Sequence, residues 1–583
     1  MPTPASAAQN QPSQDPLGSN QSSPRPPQTD DPALITRLRQ DLVQAGFTND
    51  GVAELLGTEA VAALDREQVV PGQLQILQAL HPSHHESAAS SSSAVLTALW
   101  LVAVEVTPEQ VDAALPRTGV DGLQQLGLAE VRPAEEGEAG VPVVVPRVDL
   151  RPYRIEGHSG GVSDFWVTSD LSAHQVPGAL PYDHVLGVGQ ASLTLAASTH
   201  RRPAAAALDI GTGCGIQLLH LLDHCDHVTG TDLSARALDF ARFNLLLNAE
   251  ALHLDPHRLS DRVVLLQGSL LEPVAGRRFD LVVSNPPFVI SPRSAEETET
   301  ERYTYRDGGR EGDALMAELI AGLPGVLNPG ATVQMLGNWE VRPTISSSSV
   351  NSSAFTGADS LPDHHESSTD LEQSLDWTAR PRSWVQEAGL HAWFIQRDAQ
   401  SPAEYAETWL RDASEERSIA DFRRRYASYL ADFEARGVQR IGFGLIWLQR
   451  PHQQTADTDL HRRFEEIIGE VQQPLGPVIA ESAERAAEAE PAVLEKHLVV
   501  PDSVTEERYQ RFGAEHPEVI IARQGAGLRR ARPISSAAAG FLAASDGEYS
   551  AAQLITAVCS LTETEESVLQ EEVLDLYVEG FLS

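Results

Sequence analysis

The chain has 583 residues, of which 42% are hydrophobic and 21% charged, values of an ordinary globular protein with room for roughly two to four domains. Lys+Arg number 43 against 82 Asp+Glu, and the resulting net charge of −39 excludes a surface that attracts nucleic acid by general charge and points to a protein partner. Three cysteines, Cys214, Cys225 and Cys559, cannot build a disulfide framework. The apolar run 94–106 is too short to span a bilayer and contains Glu105, and no basic segment followed by an apolar core opens the chain, so a soluble cytoplasmic protein is expected.

Residues 1–30 are Pro, Ser, Gln and Asn with little apolar content. Burial cannot offset their chain entropy, and a disordered tail is expected. A first domain is expected over 31–150. Leu34, Ile35, Leu38 and Leu42 have helical spacing, Asn49-Asp-Gly51 reads as a turn before a helix at 52–56, and Ser90 to Ser93 read as a low-complexity loop. His81, His84 and His85 have no cysteine or carboxylate at ligand spacing, so a solvated loop is expected there and no metal. An apolar helix follows, and Thr107-Pro108 opens another, with threonine as cap and proline in the first turn. Short helices ahead of the β-rich 141–145 resemble a winged-helix module, which binds nucleic acid or a protein helix. A helical scaffold that extends the core is the competing reading.

A second unit is expected over 151–450. Residues 153–155 and 164–167 read as strands, and 186–191, with two glycines, as a loop lying under a bound cofactor. Residues 208–215 read as a short buried strand ending in Asp209, then Gly211, Gly213 and Gly215 at alternate positions with Thr212 among them, then an apolar helix over 216–222. Glycine lets the backbone turn tightly and lets a ligand touch it. A second strand ends in Asp232, followed by Leu233, and its carboxylate is placed to accept both hydroxyls of a ribose. The spacing is GxGxG and not GxGxxG, so a nucleoside cofactor without a pyrophosphate fits better. Asp223-His-Cys-Asp-His227 reads as a polar connection. Strands at 262–267 and 279–283, alternating with helices, give a parallel sheet.

The fourth strand breaks at Ser284-Asn285 into Pro286, Pro287 and Phe288. The prolines fix the Asn285 carboxamide at a strand's carboxyl end, where ligands of open α/β sheets bind. Its carbonyl and the backbone carbonyl of Pro286 form a pair of acceptors for the two hydrogens of an NH2 group. An amide or aromatic amine nitrogen is a weak nucleophile because its lone pair is delocalised. Holding both hydrogens favours a pyramidal nitrogen with the lone pair aimed at an electrophile, so that positioning and electrostatics replace a strong base. Phe288 stacks on a flat substrate group. A proline-rich turn that only closes a strand is the competing reading.

On these two stretches the sequence resembles the class I, Rossmann-like methyltransferases with an Asn-Pro-Pro-Phe/Tyr motif, over about 183–450. Among these are the release-factor glutamine N-methyltransferases, the small-domain ribosomal RNA guanine N2-methyltransferases and the amino-type DNA adenine methyltransferases. The resemblance implies an α/β fold: a seven-stranded Rossmann-like sheet with the last strand antiparallel, flanked by an N-terminal helical or winged-helix-like domain and a C-terminal mixed domain. It implies S-adenosylmethionine as cofactor. Asp209, Gly211, Thr212, Gly213 and Gly215 would surround its methionine part, Asp232 and Leu233 its nucleoside, Ser269 and Leu270 its adenine, with Asn285 beside the activated methyl. Asn285, Pro286, Pro287 and Phe288 would form the catalytic set. Ser269 stands where many relatives carry aspartate. The implied activity is N-methylation of a planar amide or amine, most of all a glutamine of a protein such as a release factor. Exocyclic amino groups of RNA or DNA bases are the alternative, and a non-catalytic scaffold that binds the cofactor is a third reading.

Past the motif, 291–312 is a long polar loop with Tyr303, Tyr305 and Asp307, placed to select substrate. A helix over 314–326, a turn at Asn328-Pro-Gly330 and a strand at 332–336 follow, and the serine-rich 342–372 is expected as a disordered insertion. Helices at 383–388, 402–410 and 422–433 and strands at 391–396 and 441–448 complete the unit. Arg423-Arg424-Arg425 reads as a solvated helix face or a local basic patch. Residues 462–583 are expected as an accessory domain with no nucleophile, metal cluster or glycine loop, for substrate recognition or scaffolding.

Overall fold

The structure is a computed structural model that describes residues 24–66, 68–81, 88–133, 141–157, 160–172, 175, 180–181, 183–292, 309–343, 375–412, 419–453, 455–457 and 460–583. Most of the expected tail and insertion, the substrate loop over 293–308, and His84 and His85 lie outside the described residues. Residues 24–30, expected as part of the tail, are tied down. The Gln28 amide donates to the Leu126 carbonyl at 2.9 Å, and the Arg236 guanidinium donates to the Pro24 carbonyl at 2.9 and 3.1 Å.

Six helices open the described chain: Pro32–Gln44, Asn49–Leu64, Val70–Ala79, Ala88–Trp100, Pro108–Ala114 and Gly119–Gln125. An antiparallel pair follows, β1 (Ala129–Arg132) and β2 (Val143–Pro146). Thr107 and Gln110 form the reciprocal capping box that the Thr107-Pro108 reading implies. Asn49 to Gly51, expected as a turn, is already helical, because the Thr48 hydroxyl caps the Gly51 amide at 3.1 Å. Ser90 to Ser93, expected as a loop, lie within the helix Ala88–Trp100. Burial of Val95, Leu96, Leu99 and Trp100 on that helix outweighs the weak helical preference of serine.

The hairpin β3 (Asp149–Glu156) and β4 (Val162–Ser169) leads to the central sheet. Its strands are β5 (Ala204–Ile210), β6 (Cys225–Asp232), β7 (Val263–Gln267), β8 (Phe279–Ser284), β9 (Leu327–Val341), β10 (His391–Gln400), β11 (Arg440–Gln449) and β12 (Arg462–Glu466). The eight strands take the order β12-β10-β11-β9-β8-β5-β6-β7. Neighbours pair in parallel except β11, which is antiparallel to both β9 and β10. The doubly wound α/β sheet with its last long strand reversed is therefore present, and β12 adds a strand to the seven expected. It draws Arg462 to Glu466 out of the segment assigned to the C-terminal unit and into the central one. Asn328 to Gly330, expected as a turn, lie inside β9. The β8/β9 register jumps from Phe279–Leu327 to Leu281–Thr332, so the turn survives as a bulge within the strand.

The strands are apolar on both faces, as buried parallel sheets require, yet the faces separate cleanly at period two. Ala207, Leu281, Val283, Trp393, Ile395, Leu445 and Trp447 pack into one core with the helices Ile216–Leu221 and Ala235–Leu247 and the N-terminal helices. Leu208, Val282, Ala392, Phe394, Ile446 and Leu448 pack into the other with the helices Ala314–Gly322 and Ala379–Ala388. The N-terminal helical unit thus shares one core with a face of the sheet. The C-terminal part has its own core, formed by the antiparallel strands β13 (Val504–Tyr509), β14 (Val519–Gln524) and β15 (Ala531–Ile534) and the helices Ser536–Ala544, Ala551–Thr562 and Glu566–Glu579.

The helix Ala235–Leu247 keeps Ala235, Asp239 and Arg242 exposed along one stripe, whereas from Phe243 onward it is buried all round. Two asparagines one turn apart account for this. Asn244 accepts from the Thr168 amide at 2.8 Å and donates to the Thr168 carbonyl at 2.9 Å, and Asn248 does the same for Trp166 at 2.9 and 2.7 Å. Their side chains serve β4 as a neighbouring strand would. Asn244 also donates to the Cys214 carbonyl at 2.8 Å, tying the hairpin to the glycine-rich turn.

Candidate active site

The carboxyl ends of β7, β6, β5 and β8 stand side by side. The register aligns Asp209 with Gly230 and Val283, Ile210 with Thr231 and Ser284, and Asp232 with Gln267. Two stretches far apart in sequence therefore meet at one rim of the sheet. The Ser284 hydroxyl donates to the Ile210 carbonyl at 2.8 Å and locks the two strand ends together.

Gly211, Gly213 and Gly215 all have positive φ, at +73°, +54° and +93°, a conformation that L side chains rarely adopt. A Cβ on Gly213 would meet nothing within 4 Å, and one on Gly211 would meet only the Asn285 carbonyl oxygen, at 3.8 Å. The turn is thus open on the side of the Asn285 backbone. Gly211 and Thr212 donate their amides to the Thr231 carbonyl at 2.8 and 2.9 Å. The Asp232 carboxylate accepts from the Gly213 and Ser234 amides at 2.9 and 2.8 Å, so this residue clamps the turn to the head of the next helix. Burial raises its pKa despite those backbone donors.

Asp209 is 1% exposed. The Thr212 hydroxyl donates to its Oδ2 at 2.5 Å, and its Oδ1 has no hydrogen-bond partner. Burial pushes the carboxyl up to about 7, against the hydrogen bond from Thr212, with repulsion from Asp232 adding to the rise. A buried carboxylate oxygen with nothing to accept is placed to receive a cation. Leu233 follows Asp232 with 59% of its surface exposed. Leu270 has φ of +47°, and its carbonyl accepts from the Thr231 hydroxyl at 3.4 Å, which keeps Ser269-Leu270 at the end of β7 beside β6. An orphaned carboxylate oxygen, an open glycine cradle, the Asp232 carboxylate and an exposed leucine fit a zwitterionic nucleoside such as S-adenosylmethionine: the first two would meet its methionine part, the third its sugar and the last its base.

Across the rim, Asn285 is half-buried and its carboxamide makes no hydrogen bond to the described residues. The Phe288 amide donates to the Pro286 carbonyl at 2.8 Å, closing a tight turn around Pro287. That carbonyl, expected as an acceptor for substrate, already takes this internal donor and keeps one further lone pair. Phe288 meets Trp409 edge-on, with ring centroids 6.4 Å apart and planes at 77°.

The sequence gives no sign of several residues that hold the site. Asp170, 6% exposed, accepts from the Val185 amide at 2.7 Å and pairs with Arg236 on the helix after Asp232. This moors the 184–189 stretch to the head of the helix Ala235–Leu247, and Gln217 ties the helix Gln190–Ser198 to the helix Ile216–Leu221 through the Ser192 carbonyl at 2.9 Å. The helices Pro402–Asp412 and Ile419–Ala435, inserted between β10 and β11, enclose a satellite core that contains Ile290, Tyr405, Tyr429 and Phe433. The Tyr405 hydroxyl accepts from the Ile290 amide at 2.8 Å. A tyrosine on an amphipathic helix reads in sequence only as core. Among the described residues no group of three or more His, Cys, Asp or Glu could hold a metal. The Asp223 to His227 segment joins helix to strand, and His224 faces the Arg202 carbonyl at 2.7 Å. No described helix is long and apolar enough to cross a membrane.

Residues 185–301 match the family model described as Methyltransferase small domain, and residues 44–139 match a Domain of unknown function (DUF7059). The release factor glutamine methyltransferase of Geobacter sulfurreducens is 38% identical over 133 residues, which are 22% of this chain and 43% of that protein. That of Bordetella pertussis is 33% identical over 145 residues, 24% of this chain and 50% of that one. The chain spans about half the length of these curated relatives. The YcgJ protein of Bacillus subtilis, a solved structure, is 13% identical and aligns over 45% of this chain and 99% of that one with a TM-score of 0.26. The glycine-rich and Asn-Pro-Pro-Phe stretches both fall within the matched segment, so that residues 185–301 carry the methyltransferase similarity.

Proposed function

We propose that this protein is an S-adenosylmethionine-dependent N-methyltransferase whose substrate is the side-chain amide of a protein glutamine, of the kind found in translation release factors. One observation carries the reading: a free carboxamide, Asn285, stands at the end of β8 in register with the glycine turn at the end of β5. The names of the relatives support glutamine as the target, and the charge of −39 favours a protein over a nucleic acid.

When bound, the cofactor supplies a methyl group made electrophilic by its sulfonium. Asp209 receives the ammonium of the methionine part on its unpartnered Oδ1. Gly211, Thr212, Gly213 and Gly215 line that part with backbone, Asp232 accepts from the ribose hydroxyls, and Leu233, Ser269 and Leu270 flank the adenine. Asn285 Oδ1 and the Pro286 carbonyl each hold one hydrogen of the target NH2. Pro286 and Pro287 restrict φ so that neither acceptor has to be ordered on binding. Phe288, braced by Trp409, covers the amide plane. Nitrogen held in this way would keep its lone pair free for the methyl that the cofactor would supply, and the proton made surplus by methylation would pass to solvent.

The test is transfer of labelled methyl from S-adenosylmethionine to a purified bacterial release factor, with the modified residue located by mass spectrometry. Label on a glutamine supports the reading. Label confined to RNA, which exposed Arg423 and Arg424 on the inserted helix Ile419–Ala435 would favour, overturns the protein substrate.

A further inference from the structure

At the margin of the sheet, two imidazoles meet where the chain turns into β12. His391 begins β10, which runs parallel to β9 and β8, so it lies at the amino ends of these strands and away from the rim that carries the cofactor residues. His461 immediately precedes β12. The two rings stack with centroids 5.5 Å apart and planes at 19°. The His461 amide donates to Nδ1 of His391 at 3.1 Å, and the His461 carbonyl accepts from the Ala392 amide at 2.9 Å. His461 is therefore where the pairing of β12 with β10 starts.

An imidazole nitrogen accepts from an amide only while it carries no proton. The bond from His461 thus assigns His391 the neutral form, with its one proton on Nε2. The titratable and charged groups that face His391 are cationic or become so in acid: His461 and Arg462 on the side of β12, and His452 beyond β11. The carboxylate of Asp457 is taken up by Arg462, at 2.5 Å. Protonation at Nδ1 would set one N–H against another and place a new positive charge among these groups. What the contact secures is the docking of the C-terminal unit, because β12 carries its ion pairs: Arg463 meets Glu579 at 3.2 Å and Glu465 meets Arg530 at 2.6 Å.

We propose that His391 and His461 form an acid-opened latch: protonation of His391 at Nδ1 breaks the bond from the His461 amide, frays β12 from His461 to Arg463, and loosens the tie between Arg463 and Glu579 that holds the C-terminal unit to the sheet. Burial lowers the His391 pKa from 6.5, and repulsion from His461, Arg462 and His452 lowers it further. With the folded value below the unfolded one, the stabilisation from the closed latch is full above about 6.5 and is lost as pH falls through the folded value. The latch is therefore shut at neutral pH and opens on the acid side.

The test is amide hydrogen exchange of the full chain, read by mass spectrometry as protection factors at about pH 8 and about pH 5. Between the two, protection over 391–392 and 461–463 should fall about tenfold, with a smaller fall over 575–580 and none over 204–210 in β5. His391→Asn offers a carboxamide oxygen that accepts from the His461 amide at every pH, and it should keep its protection in acid. His391→Phe retains a flat ring without an acceptor and should show the acid pattern at both pH values. Equal protection of the wild-type chain at both pH values overturns the proposal. So does an acid-induced loss that persists in His391→Asn, which assigns the titration to another group, and so does wild-type protection in His391→Phe. A loss over 391–392 and 461–463 with 575–580 unchanged overturns the link to the C-terminal unit. None of these outcomes depends on methyl transfer.

Discussion

The two halves of the central sheet treat charge in opposite ways. At the ends of β5, β6 and β7 the carboxylates are few and incompletely satisfied: Asp209 keeps an unpartnered oxygen, and burial raises the pKa of both Asp209 and Asp232. On the other half, around β9 and β12, buried carboxylates are fully matched. Glu340 pairs with Arg342 and Arg436, Asp313 with Arg380, and Glu465 with Arg463 and Arg530. One half keeps a carboxylate oxygen without a partner, whereas the carboxylates named on the other are each paired with arginine. This contrast suits a charged cofactor on one side and an uncharged amide on the other.

The largest expected effect falls where the halves meet. Asn285→Ala should lower methyl transfer by about 10²–10³-fold with cofactor Kd unchanged, since the role proposed for Asn285 is to hold the substrate amide; a parallel loss of cofactor binding would erase the division. Asn244→Leu strands the Thr168 amide and carbonyl and the Cys214 carbonyl. It should cost about 2–3 kcal/mol in urea denaturation and weaken cofactor binding through the glycine turn, while an effect on release-factor KM alone would contradict that route.

The third prediction concerns pH. With Asp209 held up at about 7 in the free protein, an incoming ammonium must displace a proton at lower pH. Cofactor affinity should therefore weaken by up to about tenfold per pH unit below 7, a slope that calorimetry would detect and that Asp209→Asn should abolish. The stability of the free protein follows the opposite sign. A folded pKa raised from 3.8 to about 7 means that the contribution of this group is full below the unfolded value and is lost as pH rises through the folded one. The smallest effect is expected for Leu233→Ser, which removes an exposed apolar contact and should weaken cofactor binding about fivefold, the equivalent of about 1 kcal/mol; no change would remove Leu233 from the nucleoside side.

The glycine turn and the strand ends beside it could be read from sequence because their signals are local. Three glycines with positive φ, a strand ending in Asp209 and another ending in Asp232 are short-range patterns that the backbone itself demands. The Asn-Pro-Pro-Phe turn was legible for the same reason. The surroundings of that turn were not, because they meet only in three dimensions: Asn338, Tyr405 and Ile290 come from three separate elements. Asn244 and Asn248 were hidden differently. Polar residues one turn apart in a helix suggest a solvated face, and only the β4 backbone opposite them explains their burial. Ser90 to Ser93 misled in the reverse sense, since composition said loop where neighbouring apolar residues impose a helix. Strand β12 was missed because Arg462 to Glu466, four charged residues around a single Phe464, carry no strand signature without a partner.

That short strand has a practical consequence for anyone who trims the protein to its catalytic part. Residues 462–466 cap 392–396 of β10 along the outer margin of the sheet. A chain stopped at Arg450 would leave the β10 amides and carbonyls bare beside Trp393 and Phe394, and such a margin recruits strands from other molecules. Fragments ending there should come out of cells as aggregates, and extending them past Glu466 should restore material that stays dispersed.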